Sequence, residues 1–240
     1  MKPKILISTI VRNRGVFLDE YFEQIKSFVE RLSDKYDFSI SIYENDSSDN
    51  SKEIIHAQDY SHFYKSFIKT EDINTQFFGS VTDAQRVINF AAARNKTFEG
   101  VDLTEYQWLL IIEPDIIYSD DIINAIINRE GLSFEPDVYS GILMQYGVPY
   151  DTWGMRRTFA EEWGGFYGDA DEQPIREFWT TANGVCLYTM KPFIEGLKFS
   201  SFNKRLNKHD CDTAVLCEDF RERGYSKIFI NQSIRPNHER

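Results

Sequence analysis

The sequence predicts an α/β fold in which one sheet is flanked by helices, and three observations carry that expectation. In the first half, short β-branched and aromatic runs alternate with segments of helical period, the pattern of strands joined by crossover helices. The run Trp108-Leu109-Leu110-Ile111-Ile112 is apolar without alternation, as a strand covered on both faces must be. It ends in Glu113-Pro114-Asp115, two carboxylates beyond the carboxyl end of a strand, where α/β folds bind their ligands. With 240 residues, 42% of them hydrophobic, one core in one domain suffices.

In chain order, Lys4 to Ile10 reads as the first strand, Val16 to Leu32 as an amphipathic helix and Phe38 to Tyr43 as the second strand. A short helix over Ser51 to His56, a strand over Phe63 to Lys69 and a helix over Thr82 to Phe98 lead to the buried strand at Trp108. Beyond it, Asp120 to Arg129 reads as helix and Val138 to Met144 as strand. Residues 145–178 are rich in Gly, Trp, Tyr and acidic residues without a period, the signature of a lid over an active site. Trp179 to Tyr188 as strand, Cys211 to Gly224 as helix and Lys227 to Ile230 as a last strand complete the series.

Composition narrows the function. A formal charge of -11 repels nucleic acid and anionic membrane surfaces. An anionic substrate therefore calls for a local cation, and two carboxylates one residue apart suit a hard divalent ion. The same pair also suits a solvated turn. Three cysteines without metal-type spacing, Cys186, Cys211 and Cys217, read as buried thiols of a reducing compartment. No stretch is long enough to span a membrane and no signal peptide opens the chain, so a soluble cytoplasmic protein is expected.

Other polar groups should open on the same edge as Glu113 and Asp115. Thr9 and Arg12 leave the first strand, and Glu44-Asn45-Asp46-Ser47-Ser48-Asp49 leaves the second. Base and ribose contacts suit them, although Asp49 or Ser51 also suits a helix N-cap. Arg94 falls on the core face of its helix, where it needs a carboxylate or a phosphate. Asn183-Gly184 interrupts a strand-like run, as a ligand approach or a bulge would. Asp212, Glu218 and Asp219 share one helix. Positions 212 and 219 are nearly in line, whereas 212 and 218 diverge by about 120°.

Taken in order, these pieces resemble GT-A glycosyltransferases, a Rossmann-like mixed sheet flanked by helices. Ile42 to Asp49, Ala93-Arg94-Asn95-Lys96, Tyr150-Asp151-Thr152-Trp153 and Asn183-Gly184-Val185 are similar, more narrowly, to the cryptococcal α-1,3-mannosyltransferase and capsule-associated protein family. The resemblance implies transfer of a hexose from a GDP- or UDP-linked donor to a carbohydrate acceptor, with Mn²⁺ or Mg²⁺. It implies Asp115 and His238 as metal ligands. Thr9, Arg12, Glu44, Asn45, Asp46, Arg94, Glu113, Asn183 and Gly184 would surround the nucleotide sugar, and Glu218, Asp219, Asp212 and Asp151 are the candidate catalytic carboxylates. An inverting transfer needs one of them as base, whereas a retaining transfer, which the resemblance suggests, needs none because the leaving phosphate oxygen can take the proton. Residues 1–118 would form the nucleotide-binding half and 119–240 the acceptor-binding half. Trp153, Trp163, Phe166 and Tyr167 would be sugar-stacking lid aromatics, or ordinary packing. A sugar-1-phosphate nucleotidyltransferase is the rival enzyme, disfavoured because Ser8 to Gly15 holds a single glycine. A non-catalytic sugar-nucleotide or glycan-binding module is the rival outside enzymology.

Overall fold

A computed structural model describes residues 2–79, 82–162, 174–181 and 184–238. Four parallel strands come first: β1 (Lys4–Val11), β2 (Asp37–Asn45), β3 (Lys65–Glu71) and β4 (Trp108–Ile112). They are joined through α1 (Gly15–Leu32), α2 (Ser51–Ala57) and α3 (Ala84–Lys96). Then follow β5 (Ile116–Ile117), α4 (Asp120–Ile127), β6 (Val138–Ser140), β7 (Met144–Gln145), β8 (Val148–Pro149) and β9 (Ile175–Glu177). The chain continues with β10 (Val185–Thr189), α5 (Lys191–Ile194), β11 (Phe202–Asn203), β12 (Lys208–His209), α6 (Asp212–Glu222), β13 (Ile228–Asn231) and β14 (Asn237–His238).

The main sheet runs in the order β3-β2-β1-β4-β10-β6-β13-β9. It is mixed, because β10 runs antiparallel to both β4 and β6, and β9 antiparallel to β13. Its strands divide two cores by the period-2 rule. Ile5, Ile7, Leu110 and Ile112 face the layer of α1 and α4, while Leu6, Leu109 and Ile111 face Ala91 of α3 and Leu216 and Phe220 of α6. That double coverage is why β4 reads as an unbroken apolar run. In α1 the buried Leu18, Tyr21, Phe22, Ile25, Phe28, Val29 and Leu32 recur at three- and four-residue steps. The Asp83 carboxylate caps α3, accepting from the amides of Gln85 and Arg86.

The second half departs from expectation in specific ways. The strand expected to reach Met144 stops at Ser140, because Gly141 lies so close to Ile234 that a Cβ would come 2.3 Å from its carbonyl oxygen. The chain turns there into a second sheet, β5-β14-β7-β8. The strand expected from Trp179 begins only at Val185; Thr180 makes an isolated bridge to Arg156. The N-cap position of α2 is Asn50, which makes no side-chain bond, while Asp49 accepts from the amide of Ser51, the first residue of the helix. All three cysteines are buried free thiols. Among the described residues, no helix is long and apolar enough to cross a membrane.

Candidate active site

The carboxyl end of β4 is fixed first by backbone. The Glu113 amide donates to the Gly184 carbonyl at 2.7 Å, and the Ile116 amide returns to the Glu113 carbonyl across Pro114. This tight turn sends the two carboxylates in different directions. Glu113 accepts from an Arg94 terminal nitrogen at 2.6 Å. Asp115, almost buried, turns to Arg14 Nε at 3.1 Å and His238 Nε2 at 3.4 Å, both on its Oδ2. Its Oδ1 is buried without a hydrogen-bond partner. Burial alone would raise the Asp115 carboxyl, but His238 and Arg14 outweigh it and hold it below the usual range.

His238 arrives by strand pairing, since β14 sets it opposite Ile116 of β5. Its Nδ1 lies 3.2 Å from Gln145 Nε2, and its ring stacks on Tyr150 at 4.2 Å.

Two cavities meet at this turn, sharing Arg14, Arg86, Phe90, Glu113 and Asp115. The first, of about 270 Å³, runs between the ends of β1 and β2, the 73–79 segment and α3, with Tyr43, Asn45, Phe77, Asn89 and Lys96 in its walls. The second, of about 460 Å³, is lined by Arg94, Tyr150, Asp151, Trp153, Gly184, Cys211, Asp212, Thr213 and His238. Gly184 packs on Ile116, where a Cβ would come within 2.8 Å of its side chain, so close backbone approach explains this glycine.

One buried arginine organises the second cavity. Arg94 Nε donates to Asp212 Oδ2 at 2.6 Å while its other end holds Glu113. Burial opposes its charge, but the two carboxylates overcome that and raise its affinity for the proton. Asp151 lies near both carboxylates and has no ion pair among the described residues. Burial first, then Glu113 and Asp212, push its carboxyl up to about 8. Its backbone is left-handed, with φ 56°, an uncommon state for a residue with a side chain.

The family description cryptococcal mannosyltransferase 1 matches residues 4–219. The chain belongs to that family. No curated protein sequence matches it. Among solved structures it is similar to mannosyltransferase PcManGT from Pyrobaculum calidifontis in complex with GDP-Man and Mn²⁺, at 9% identity and TM-score 0.60, over 99% of this chain and 57% of that one. S. aureus TarS 1-349 is similar at 12% identity and TM-score 0.54, over 100% of this chain and 60% of that one. Glucosyl-3-phosphoglycerate synthase from Mycobacterium tuberculosis, in complex with phosphoglyceric acid, is similar at 10% identity and TM-score 0.53, over 99% and 72%. At such identities the likeness is one of fold, that of GT-A glycosyltransferases, as the family membership leads one to expect. The chain spans 57% and 60% of the length of the first two.

Against the family's motif segments, the structure divides the expected site residues. Arg94, Glu113, Asp115, Asp151, Gly184, Asp212 and His238 line the second cavity, and Arg12 and Asn45 line the first. Asn183, like the lid aromatics Trp163, Phe166 and Tyr167, lies outside the described residues. Thr9, Glu44 and Asp46 line neither cavity. The buried Thr9 hydroxyl bonds to Tyr21 and the Ile112 carbonyl. Glu44 is fully buried, with Oε1 accepting from the Ser47 amide. The two oxygens of Asp46 accept five hydrogen bonds, from the amides of Ile73, Asn74 and Thr75, the Thr75 hydroxyl and Asn45. Arg12 borders the first cavity but spends its guanidinium on Thr75 and the Gln76 carbonyl.

Two of the expected acids, both on α6, line neither cavity. Glu218 faces away from both cavities into a buried cluster, with Arg205 at 2.7 Å, Asn203 at 3.2 Å and the wholly buried Arg156 at 3.3 Å. Asp219, seven residues from Asp212 and so about 10 Å further along the axis, is paired with Lys204 at 2.9 Å. The sequence reading missed Arg14 and Arg86. The only signal for Arg14 was a second arginine in the loop after β1, and nothing in the sequence distinguishes it from Arg12.

Among the described residues, no three His, Cys, Asp or Glu side chains gather into a metal site. The donor set nevertheless fits a divalent ion in part. Asp115 Oδ1 is an orphaned buried oxygen, the His238 imidazole lies beside the same carboxylate, and oxygen with imidazole suits Mn²⁺. A diphosphate would have to fill the remaining positions.

Proposed function

We propose that this chain transfers a hexosyl residue from a nucleoside-diphosphate sugar to a carbohydrate acceptor, with Mn²⁺ or Mg²⁺ held by Asp115 and His238. The observation that carries this reading is the place of Asp115, with one unpartnered oxygen, at the junction of two cavities. The first cavity has the aromatic walls and amide side chains that suit a base and ribose, and the second has the carboxylates that suit sugar hydroxyls. In this reading residues 1–118 bind the nucleotide and 119–240 bind the acceptor. PcManGT was solved with GDP-Man and Mn²⁺, so GDP-mannose is the first donor to try. UDP, bound with Mg²⁺ in glucosyl-3-phosphoglycerate synthase, makes UDP-sugars the next.

The cation, when bound, supplies Lewis-acid stabilisation of the diphosphate. Arg94 fixes Glu113 and Asp212 so that they shape the sugar pocket without rotating away. Asp151, the carboxylate there with no ion pair among the described residues, takes the acceptor proton as the sugar carbon is attacked, the role a general base plays in an inverting transfer. Trp153, packed against Cys211 and Ala214, closes one side of that pocket against water.

A panel of nucleotide sugars with Mn²⁺ tests the reading. GDP-mannose with oligosaccharide acceptors should release GDP, and chelator should stop it. No turnover or hydrolysis of any donor in the panel would overturn it.

A further inference from the structure

We infer that Arg14 is the residue that receives the leaving diphosphate, and that the loop after β2 is a clasp that aims it. This rests on the glycosyl-transfer reading above and assigns the motif segment Glu44 to Asp49 a use other than ligand contact.

Arg14 lines both cavities where they join, and its side chain, 39% exposed, is held at Nε by Asp115 and through one terminal nitrogen by the Asn13 carbonyl at 3.3 Å. Other basic groups nearby are committed elsewhere. Arg12 binds the 75–76 backbone, Arg94 binds Glu113 and Asp212, and Lys96 sits beside Glu71 and Glu99. Arg86 lies over the Phe90 ring.

The backbone around Arg14 is tied down residue by residue. Asn13, left-handed at φ 52°, donates its amide to Ser47 Oγ at 2.9 Å and accepts from the Ser48 amide at 2.8 Å. The Arg14 amide donates to Ser51 Oγ at 2.9 Å. The Gly15 amide donates to Asp49 Oδ2 at 2.9 Å, and Asp49 Oδ1 in turn accepts from the Ser51 amide and hydroxyl. Burial would raise the Asp49 carboxyl, but these bonds from Ser51 and Gly15 lower it. The loops touch so closely that a Cβ on Gly15 would come 2.0 Å from Asn50 Oδ1. These bonds fix the left-handed turn at Asn13 and so the direction in which Arg14 leaves the backbone. Of residues 44–51, only Asn45 lines either cavity.

The chemistry asks for a cation at this place. The acceptor oxygen bonds to the anomeric carbon, the bond from that carbon to the diphosphate oxygen breaks, and its electron pair stays on the diphosphate. The acceptor proton leaves to Asp151. A guanidinium already in position stabilises the added negative charge, and its fork matches two phosphate oxygens. Exchanging the Asp115 carboxylate for phosphate keeps Arg14 paired throughout.

Calorimetry with GDP, UDP, guanosine and uridine in the presence of Mn²⁺ tests this on the wild type, Arg14→Gln, Arg14→Lys and Asp49→Asn. Arg14→Gln should weaken binding of the preferred diphosphate roughly 10- to 100-fold and leave the free nucleoside within about twofold. Arg14→Lys should recover part of that loss, and Asp49→Asn should show a smaller loss of the same selective kind. Diphosphate affinity unchanged in Arg14→Gln, or nucleoside and diphosphate weakened alike, overturns the assignment. If the wild type binds neither diphosphate, the glycosyl-transfer reading fails first and the assignment falls with it.

Discussion

His238 and Asp115 come within 3.4 Å because β14 and β5 pair His238 with Ile116, the residue after Asp115. A short second sheet thus brings the carboxyl end of the chain to the carboxyl end of the buried strand. A metal held between them would tie β14 to the end of β4.

Asp115→Ala should therefore abolish Mn²⁺-dependent turnover, and His238→Ala should lower metal affinity more than nucleoside affinity. The nucleoside cavity is lined by neither β14 nor β5. Metal titration followed by activity checks both, and full activity of Asp115→Ala in excess chelator would sink the metal assignment.

Asp151 predicts a pH dependence with a definite sign. Its folded carboxyl is raised to about 8, above the unfolded value near 4, so between these pH values the folded chain keeps a proton that the unfolded chain has released. Its contribution to stability is whole below about pH 4 and is lost as pH rises through about 8. Asp151→Asn should match the wild-type Tm at pH 4 and exceed it by several degrees at pH 8.5. Transfer by the wild type should rise as pH passes 8, while Asp151→Asn stays slow with unaltered nucleoside diphosphate affinity. A Tm difference independent of pH would show that this carboxyl titrates normally.

The cluster behind α6 should matter for stability alone. Arg156 is wholly buried between Asp210 at 2.7 Å and Glu218 at 3.3 Å, and removing one partner of a buried pair costs about 3–5 kcal/mol. Asp210→Asn should lose about that much in urea unfolding, and Glu218→Gln less, because Glu218 is slightly exposed. For folded Glu218→Gln, kcat should stay within about twofold of wild type. A large kcat loss without a stability loss would return Glu218 to the active site.

Asp46→Ala should loosen the wall of the nucleotide cavity. Three amides, Ile73, Asn74 and Thr75, donate to this one carboxylate, whose affinity for the proton falls because bonds from Thr75 and Asn45 outweigh its burial. Exchange of these amides should accelerate, and nucleoside and diphosphate should both bind more weakly, by roughly tenfold. Unchanged exchange at 73–75 would mean that the loop holds without Asp46.

Much of the frame could be read from residue pattern. The unbroken apolar run of β4, the three- and four-step spacing in α1 and the acidic end at Glu113-Pro114-Asp115 depend on local geometry, so they show in the sequence. The mixed direction of the sheet does not, since Val185 to Thr189 reads the same whichever way the strand runs. The short strands of the second sheet were also hidden. Two residues carry no period, and their pairing depends on Gly141 letting the chain pass against Ile234.

The sequence by itself placed Glu113 and Asp115 beyond the end of a buried strand, Arg94 on the core face of a helix where it needs an anionic partner, and Asp212 on a later helix. Only the tertiary structure decided which polar groups are still open to a ligand. Asp46 and Glu218 have the right chemistry, but partners from other segments of the chain take up their oxygens, while Glu44 is fully buried at the end of its strand. Asp151 lines the cavity without such an ion pair, and Arg14 faces both cavities while Arg12, two residues away, is occupied. The reason is physical: chain position fixes where a side chain starts, but hydrogen-bond saturation depends on what folds back against it.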